Sequence, residues 1–235
     1  MPGRRGPAYW LLAGFFALFV LFLYGPTITI LVLSFQGPSG GLTFPMNGVS
    51  LHWFGNLFEK QMVGDFAGSF KRSMILGLSV MVVTVVASFS AGLAFRNRFR
   101  GSTVIFYLAI ASLIVPSILI SLGIGLLYRV LGWETAWYSS GLGAHLTWTL
   151  PFGLLIMFAV FNRFDRRYEE AARDLGATPW QTIRFVVLPI LLPSLVGVGL
   201  FGFTLSYDEF ARSLYTAGTF NTLPLEIYGM TTNVT

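Results

Sequence analysis

The sequence contains no cysteine, which excludes disulfides, thiolate chemistry and cysteine-based zinc sites. Charge is scarce too. Only 11% of the 235 residues are charged, against about 25% in soluble domains. The two histidines, His52 and His145, have no carboxylate near them in sequence, so no metal site is expected. There is no glycine-rich loop ending in Lys-Ser/Thr and no nucleophile elbow. The chain is therefore read as a non-enzyme that carries no cofactor of its own. What it has instead is apolar length: 54% of the residues are hydrophobic and the mean hydropathy is +0.70. Such a chain cannot cover itself with polar surface, and membrane residence follows. The net charge of +5 comes from short Arg clusters between apolar runs; that pattern orients a membrane protein and does not build a nucleic-acid face.

Five apolar runs are long enough to cross a bilayer, which takes about 20 residues in a helix. They are roughly Tyr9–Phe35, Met74–Phe95, Val104–Val130, Ala144–Phe161 and Phe185–Tyr207. The first is too long for the core of a secretory signal and is read as a retained span. The runs are continuous, which argues for helices over barrel strands. The expected fold is an all-α polytopic bundle forming one transmembrane domain, 1–235. If the spans alternate, ten of the fifteen basic residues share one side: Arg4, Arg5, Arg96, Arg98, Arg100, Arg163, Arg166, Arg167, Arg173 and Arg184. Lys60, Lys71, Arg72, Arg129 and Arg212 fall on the other. The basic side is expected to be cytoplasmic, with the N-terminus there, in a bacterial inner membrane. The FRNRFRG loop at 95–101 then reads as a topological anchor, and Trp133, Trp137 and Tyr138 as part of an outer aromatic belt. Pro26, Pro116, Pro151, Pro189 and Pro193 are expected to kink their helices. Gly92, Gly123, Gly125, Gly197, Gly199 and Gly202 are expected to allow close packing. The tail from Ser213 is polar and turn-rich, and reads either as an end or as the lead-in to a sixth helix.

The most informative stretch lies between the fourth and fifth runs, DRRYEEAARDLGATPWQTIRFVVLP, Asp165 to Pro189. Asp165 suits the start of a helix, and Gly176 suits a left-handed C-terminal cap. Thr178, Pro179 and Gln181 have the spacing of a capping box with proline at the first position. Residues 165–181 thus predict helix, sharp turn and a second helix that continues into the fifth span. The first helix sets Ala171, Ala172 and Leu175 beside Glu169, Glu170, Arg173 and Asp174. That composition suits docking into a partner's groove or lying on lipid headgroups.

Glu170-Ala171-Ala172, three residues, Gly176, nine residues and then Val186-Val187-Leu188-Pro189 resemble the EAA signature of ABC importer permeases, with Val186 in place of the usual isoleucine. The resemblance implies a type I permease whose loop docks on a cytoplasmic ATPase through Glu169, Glu170, Ala171, Ala172, Asp174, Leu175 and Gly176. Partners so implied are a second permease, two ATPase subunits that hold ATP and Mg, and an outer substrate-binding protein. Closure of the ATPase dimer would draw the loop helices together, and the helix beginning after Thr178 would carry that motion to the gate. SYDEF at 206–210 and NTLPLEIYGM at 221–230 are similar to spermidine/putrescine importer permeases, the second of their two permease subunits in particular. That likeness implies a heterodimer, six spans and a polyamine or similar cation as cargo; opines, ferric iron and oxyanions are the alternatives within the architecture. A secondary carrier and a non-transporting scaffold are the alternatives outside it. The first four runs contain no Asp or Glu, which disfavours a carrier with a proton relay. Asp208, Glu209 and Glu226, with Tyr207 and Trp148 for cation–π contact, form a candidate substrate path. The competing assignment puts Asp208 and Glu209 in water, paired with Arg212.

Overall fold

A computed structural model describes residues 6–59, 64–97 and 99–232. Among them there are helices, turns and two isolated bridges. The chain divides into two compact units, 1–62 and 63–235.

In the first unit α1 (Pro7–Leu33) opens with proline in its first turn, where no backbone donor is needed, and runs through Pro26. Its 27 residues exceed a bilayer's requirement. The chain then turns around the buried side chain of Gln36. Its Nε2 donates to the carbonyls of Gly41 (2.7 Å) and Thr43 (3.3 Å), and its Oε1 accepts from the Asn47 N–H (2.9 Å). A short helix, α2 (His52–Asn56), follows.

The second unit is built on three long spans. The first is α3 (Phe66–Phe95). The second enters through a π turn at Trp137–Gly141 and continues as α6 (Leu142–Arg163). The third runs from α8 (Pro179–Thr182) through a π turn (Ile183–Val187) into α9 (Leu188–Tyr207). The buried face of α3 carries Ser69, Ser73, Leu76, Gly77, Val80, Thr84, Ser88 and Gly92, mostly small residues at helical spacing that let its neighbours approach closely. A Cβ on Gly92 would lie 2.6 Å from the Phe161 ring, and one on Gly199 would lie 3.2 Å from Val85. Gly123 and Gly197, expected to pack in the same way, have no neighbour at that position among the described residues. Met157 and Phe161 of α6 close a core with Val187, Leu191, Leu195 and Val198. A hydrogen bond of 3.0 Å between the hydroxyls of Thr84 and Thr149 ties α3 to α6 inside it.

Several expected boundaries shift. The second span starts at Phe66, well before Met74, because Asp65 caps it: Oδ1 accepts from the Gly68 N–H at 2.9 Å. The fourth begins at Trp137, before Ala144, so its first turn includes Trp137 and Tyr138 of the expected belt but not Trp133. The third, Val104–Val130, is two helices, α4 (Ser102–Ala111) and α5 (Ser117–Val130). Pro116 adopts an extended ψ of 133° just ahead of α5; it supplies no donor and restricts the residue before it, so the helix breaks there and does not merely kink. Pro151 stays inside α6. It leaves the Thr147 carbonyl without its usual donor, and the Ser112 hydroxyl fills that role at 2.9 Å. Part of the polar tail is also helical, as α10 (Leu223–Thr232). Pro224 lies in its first turn, where proline starts a helix as readily as it makes a turn.

Candidate functional site

The loop after α6 folds as its residues predict. Asp165 Oδ1 accepts from the Arg167 N–H at 3.0 Å, and α7 (Arg167–Asp174) begins there. At its end Gly176 takes φ +88°. The Ala177 N–H donates to the Ala172 carbonyl (3.0 Å) and the Gly176 N–H to the Arg173 carbonyl (2.8 Å). These two bonds make the Schellman closure that a left-handed glycine permits. Thr178 then accepts from the Gln181 N–H (3.3 Å) while Gln181 Oε1 accepts from the Thr178 N–H (2.8 Å), a complete capping box. The helix starting at Pro179 runs without interruption to Tyr207. Its π turn, in which the Leu188 N–H reaches Ile183, sits just ahead of Pro189 and gives that ring room.

Glu170, Ala171, Asp174, Leu175 and Gly176 are exposed on this loop, and Leu175 is 90% exposed. Glu169 and Ala172 turn inward. Glu169 forms an ion pair with Arg96, the residue that ends α3, and both side chains are largely buried. Arg173 lies 3.8 Å from the same carboxylate. The Arg96 guanidinium also rests over the Phe161 and Phe164 rings, 5.2 and 5.4 Å from their centroids. A cavity of about 360 Å³ borders this pair, lined by Arg166, Arg173, Pro179 and Thr182 among others. So Arg96, assigned from sequence to a topological anchor, is a structural partner of the loop helix. Arg98 of the same cluster lies outside the described residues.

At the opposite end of the spans the charges turn inward. Arg212 is buried and pairs with the buried Glu209 at 3.4 Å. Its guanidinium lies 4.6 Å from the centre of the Trp148 ring and donates to Ser117 Oγ (2.8 Å) and Thr147 Oγ1 (3.2 Å). Ser121 donates to the Arg212 carbonyl, which fastens α5 to this segment. His145, also buried, sits between the hydroxyls of Ser206 (2.8 Å) and Ser213 (3.0 Å). Of the candidate path residues, Glu209 and Trp148 therefore meet through Arg212. Glu226 is elsewhere: it accepts from the Asp65 N–H (2.5 Å) and Asn221 Nδ2 (2.8 Å). Tyr207 stacks on Phe203. Asp208 is exposed and apart from that network.

A family model described as binding-protein-dependent transport system inner membrane component matches residues 84–234, which include the α7 loop and the buried cluster. The chain belongs to this family. It is a transport permease subunit of a type I ABC importer, a multi-pass protein of the inner membrane and not a catalytic enzyme. The permease is 29% identical over 219 residues to the spermidine/putrescine transport system permease protein PotC of Escherichia coli (strain K12), covering 92% of this chain and 81% of that protein. It is 30% identical over 223 residues to PotC of Haemophilus influenzae, covering 94% and 85%. The putrescine transport system permease protein PotI of E. coli K12 is 28% identical, covering 88% and 75%. In fold it is similar to a chain of a bacterial ABC transporter involved in the import of the acidic polysaccharide alginate, with TM-score 0.67 and 18% identity over 98% of this chain and 83% of the other.

Two features of the permease were missed in sequence. Arg96 gave no local signal, because its partner is 73 positions away. In sequence Arg212 reads only as a water-exposed partner for Asp208 and Glu209. The stronger clue was Trp148 with Ser117 and Thr147, small polar groups inside apolar runs that need an internal partner.

Proposed function

We propose that this chain is the permease subunit of an ATP-driven, binding-protein-dependent importer for a polyamine or similar small cationic solute. The observation that carries this reading is the loop helix α7, closed by Gly176 and held on the capped helix that continues into a span. Its exposed Glu170, Ala171, Asp174 and Leu175 form the face offered to a cytoplasmic ATPase, and Gly176 gives the turn its shape. Supporting orientation, the basic residues gather at the loop end of the spans, which puts that end and the N-terminus in the cytoplasm. The chain acts as one transmembrane domain beside a second, different permease subunit, on two ATPase subunits that supply ATP and Mg chemistry, and receives its cargo from an outer binding protein. The similarity to polyamine permeases supports the cargo. Of the candidate path carboxylates Asp208 is the one exposed to an arriving cation, whereas Glu209 and Trp148 already hold the guanidinium of Arg212.

The test is co-purification with an ATPase and uptake of radiolabelled spermidine that depends on ATP and not on a proton gradient. Asp208→Asn is expected to raise the apparent KM for spermidine by up to about fivefold, the effect of one exposed charge pair of up to about 1 kcal/mol. Unchanged kinetics for every cationic cargo would remove Asp208 from the path.

A further inference from the structure

The resemblance counts Glu169 among the docking residues, but the structure turns it away from the exposed face of α7 and onto Arg96, and the importer reading gives Arg96 no role. In the described residues α7 packs on α8 and the π turn that follows it, and its principal link to α3 is the Arg96–Glu169 ion pair. Arg96 is unusually constrained for a residue at a helix end. Its side chain is 11% exposed, two aromatic faces flank its guanidinium, and its own carbonyl accepts from Arg166 Nη2 at 3.0 Å. A planar cation held in this way has one favourable pose, and Glu169 fixes α7 to it. The ring contacts are with Phe161 at the end of α6 and Phe164 just beyond it, so the same guanidinium joins α3, α6 and α7.

We propose that Arg96 is a positioning residue for coupling: through Glu169 it transmits displacement of the docking helix directly to α3 and the end of α6, parallel to the covalent route through α8 and α9. Two attachments make α7 a rigid lever, whereas one would leave it a hinged flap. This inference rests on the ATP-driven reading, and Arg96 itself does not touch an ATPase in it.

The experiment uses the complete transporter with its own partner subunits in proteoliposomes, measuring ATP hydrolysis and spermidine uptake on the same vesicles. Arg96→Gln is expected to keep hydrolysis within about twofold while uptake per ATP falls about tenfold, a typical size for coupling between sites, and Glu169→Gln should lower uptake per ATP by the same factor. Arg96→Lys, which keeps the charge, should recover much of that loss. The doubly substituted Arg96→Gln/Glu169→Gln should be no worse than either single variant. Because the chain has no cysteine, Ala94→Cys and Arg167→Cys can be introduced as a spin-label pair with no competing thiol on this subunit. Their distance distribution should be narrow in the native protein and broad in Arg96→Gln. Parallel loss of hydrolysis and uptake, with no recovery in Arg96→Lys, would reduce the pair to a packing role and overturn the proposal. So would uptake per ATP equal to the native value. If the unsubstituted chain binds no ATPase at all, it is the importer reading that fails, a result distinct from either of these.

Discussion

The two ends of the spans handle charge in opposite ways. At the loop end, charged side chains stay mostly on the surface of short capped helices, and one pair, Arg96 with Glu169, reaches inward. At the other end Glu209, Arg212 and His145 are buried: the Glu209 carboxylate accepts from Arg212, and the hydroxyls of Ser117, Thr147, Ser206 and Ser213 satisfy Arg212 and His145. The first arrangement suits a surface that must meet a partner. The second suits a segment that must stay closed in a medium where an unpaired ion is costly. Local backbone chemistry builds the loop, and long-range electrostatics builds the cluster.

The sharpest way to break this contrast is at Gly176. A β-branched residue there is strained at φ +88°, so Gly176→Val is expected to abolish ATP-driven uptake while the spans remain inserted, as protease protection would show. Normal uptake would mean that the loop tolerates a different turn. At the opposite end Arg212→Ala strands Glu209 in a buried site and is expected to lower stability by about 3–5 kcal/mol, read as thermal melting in detergent. Replacing both partners with apolar residues should cost clearly less than that. If the single and the double replacement melt alike, the pair is not electrostatically coupled. Thr178→Ala removes one half of the capping box and is expected to cost about 1 kcal/mol, seen as faster hydrogen exchange at residues 179–182 with the opposite end unaffected.

The smallest effect concerns Asp65. The Gly68 N–H, then the Arg72 guanidinium at 3.1 Å, hold its carboxyl below the usual carboxylate range. A group whose folded pKa is depressed stabilises the fold above its unfolded value, near 3.8, and loses that contribution as pH falls through the lower folded value. Protection of the first turn of α3 should therefore weaken only in strong acid. In Asp65→Asn that acid-dependent step should disappear.

Much of the loop was legible because each of its signals is short-range. Asp165, Gly176 and the Thr178–Gln181 box act within a few positions, so their meaning does not depend on what packs nearby. The three long spans were legible for a related reason, since apolar length alone decides whether a helix can cross a bilayer. Boundaries were less so. Lys71 and Arg72 made the second span look shorter than it is, although Arg72 is accommodated by Asp65 and the Asn221 carbonyl. Pro116 and Pro151 look alike in sequence, yet one ends a helix and the other lies within one. The difference at Pro151 is Ser112, which satisfies the carbonyl that the proline leaves open.

By itself the sequence determined that this protein lives in a membrane, roughly where most of its long helices lie, and how the EAA loop caps, turns and restarts. Those properties depend on composition and on neighbours a few positions apart. Only the tertiary structure decided that Arg96 belongs to the loop helix and that Arg212 sits between Trp148 and Glu209. Opposite charges separated by many residues can pair in many ways on paper. Burial next to aromatic rings and hydroxyls selects one, because an ion removed from water is stable only where its partners are already in place.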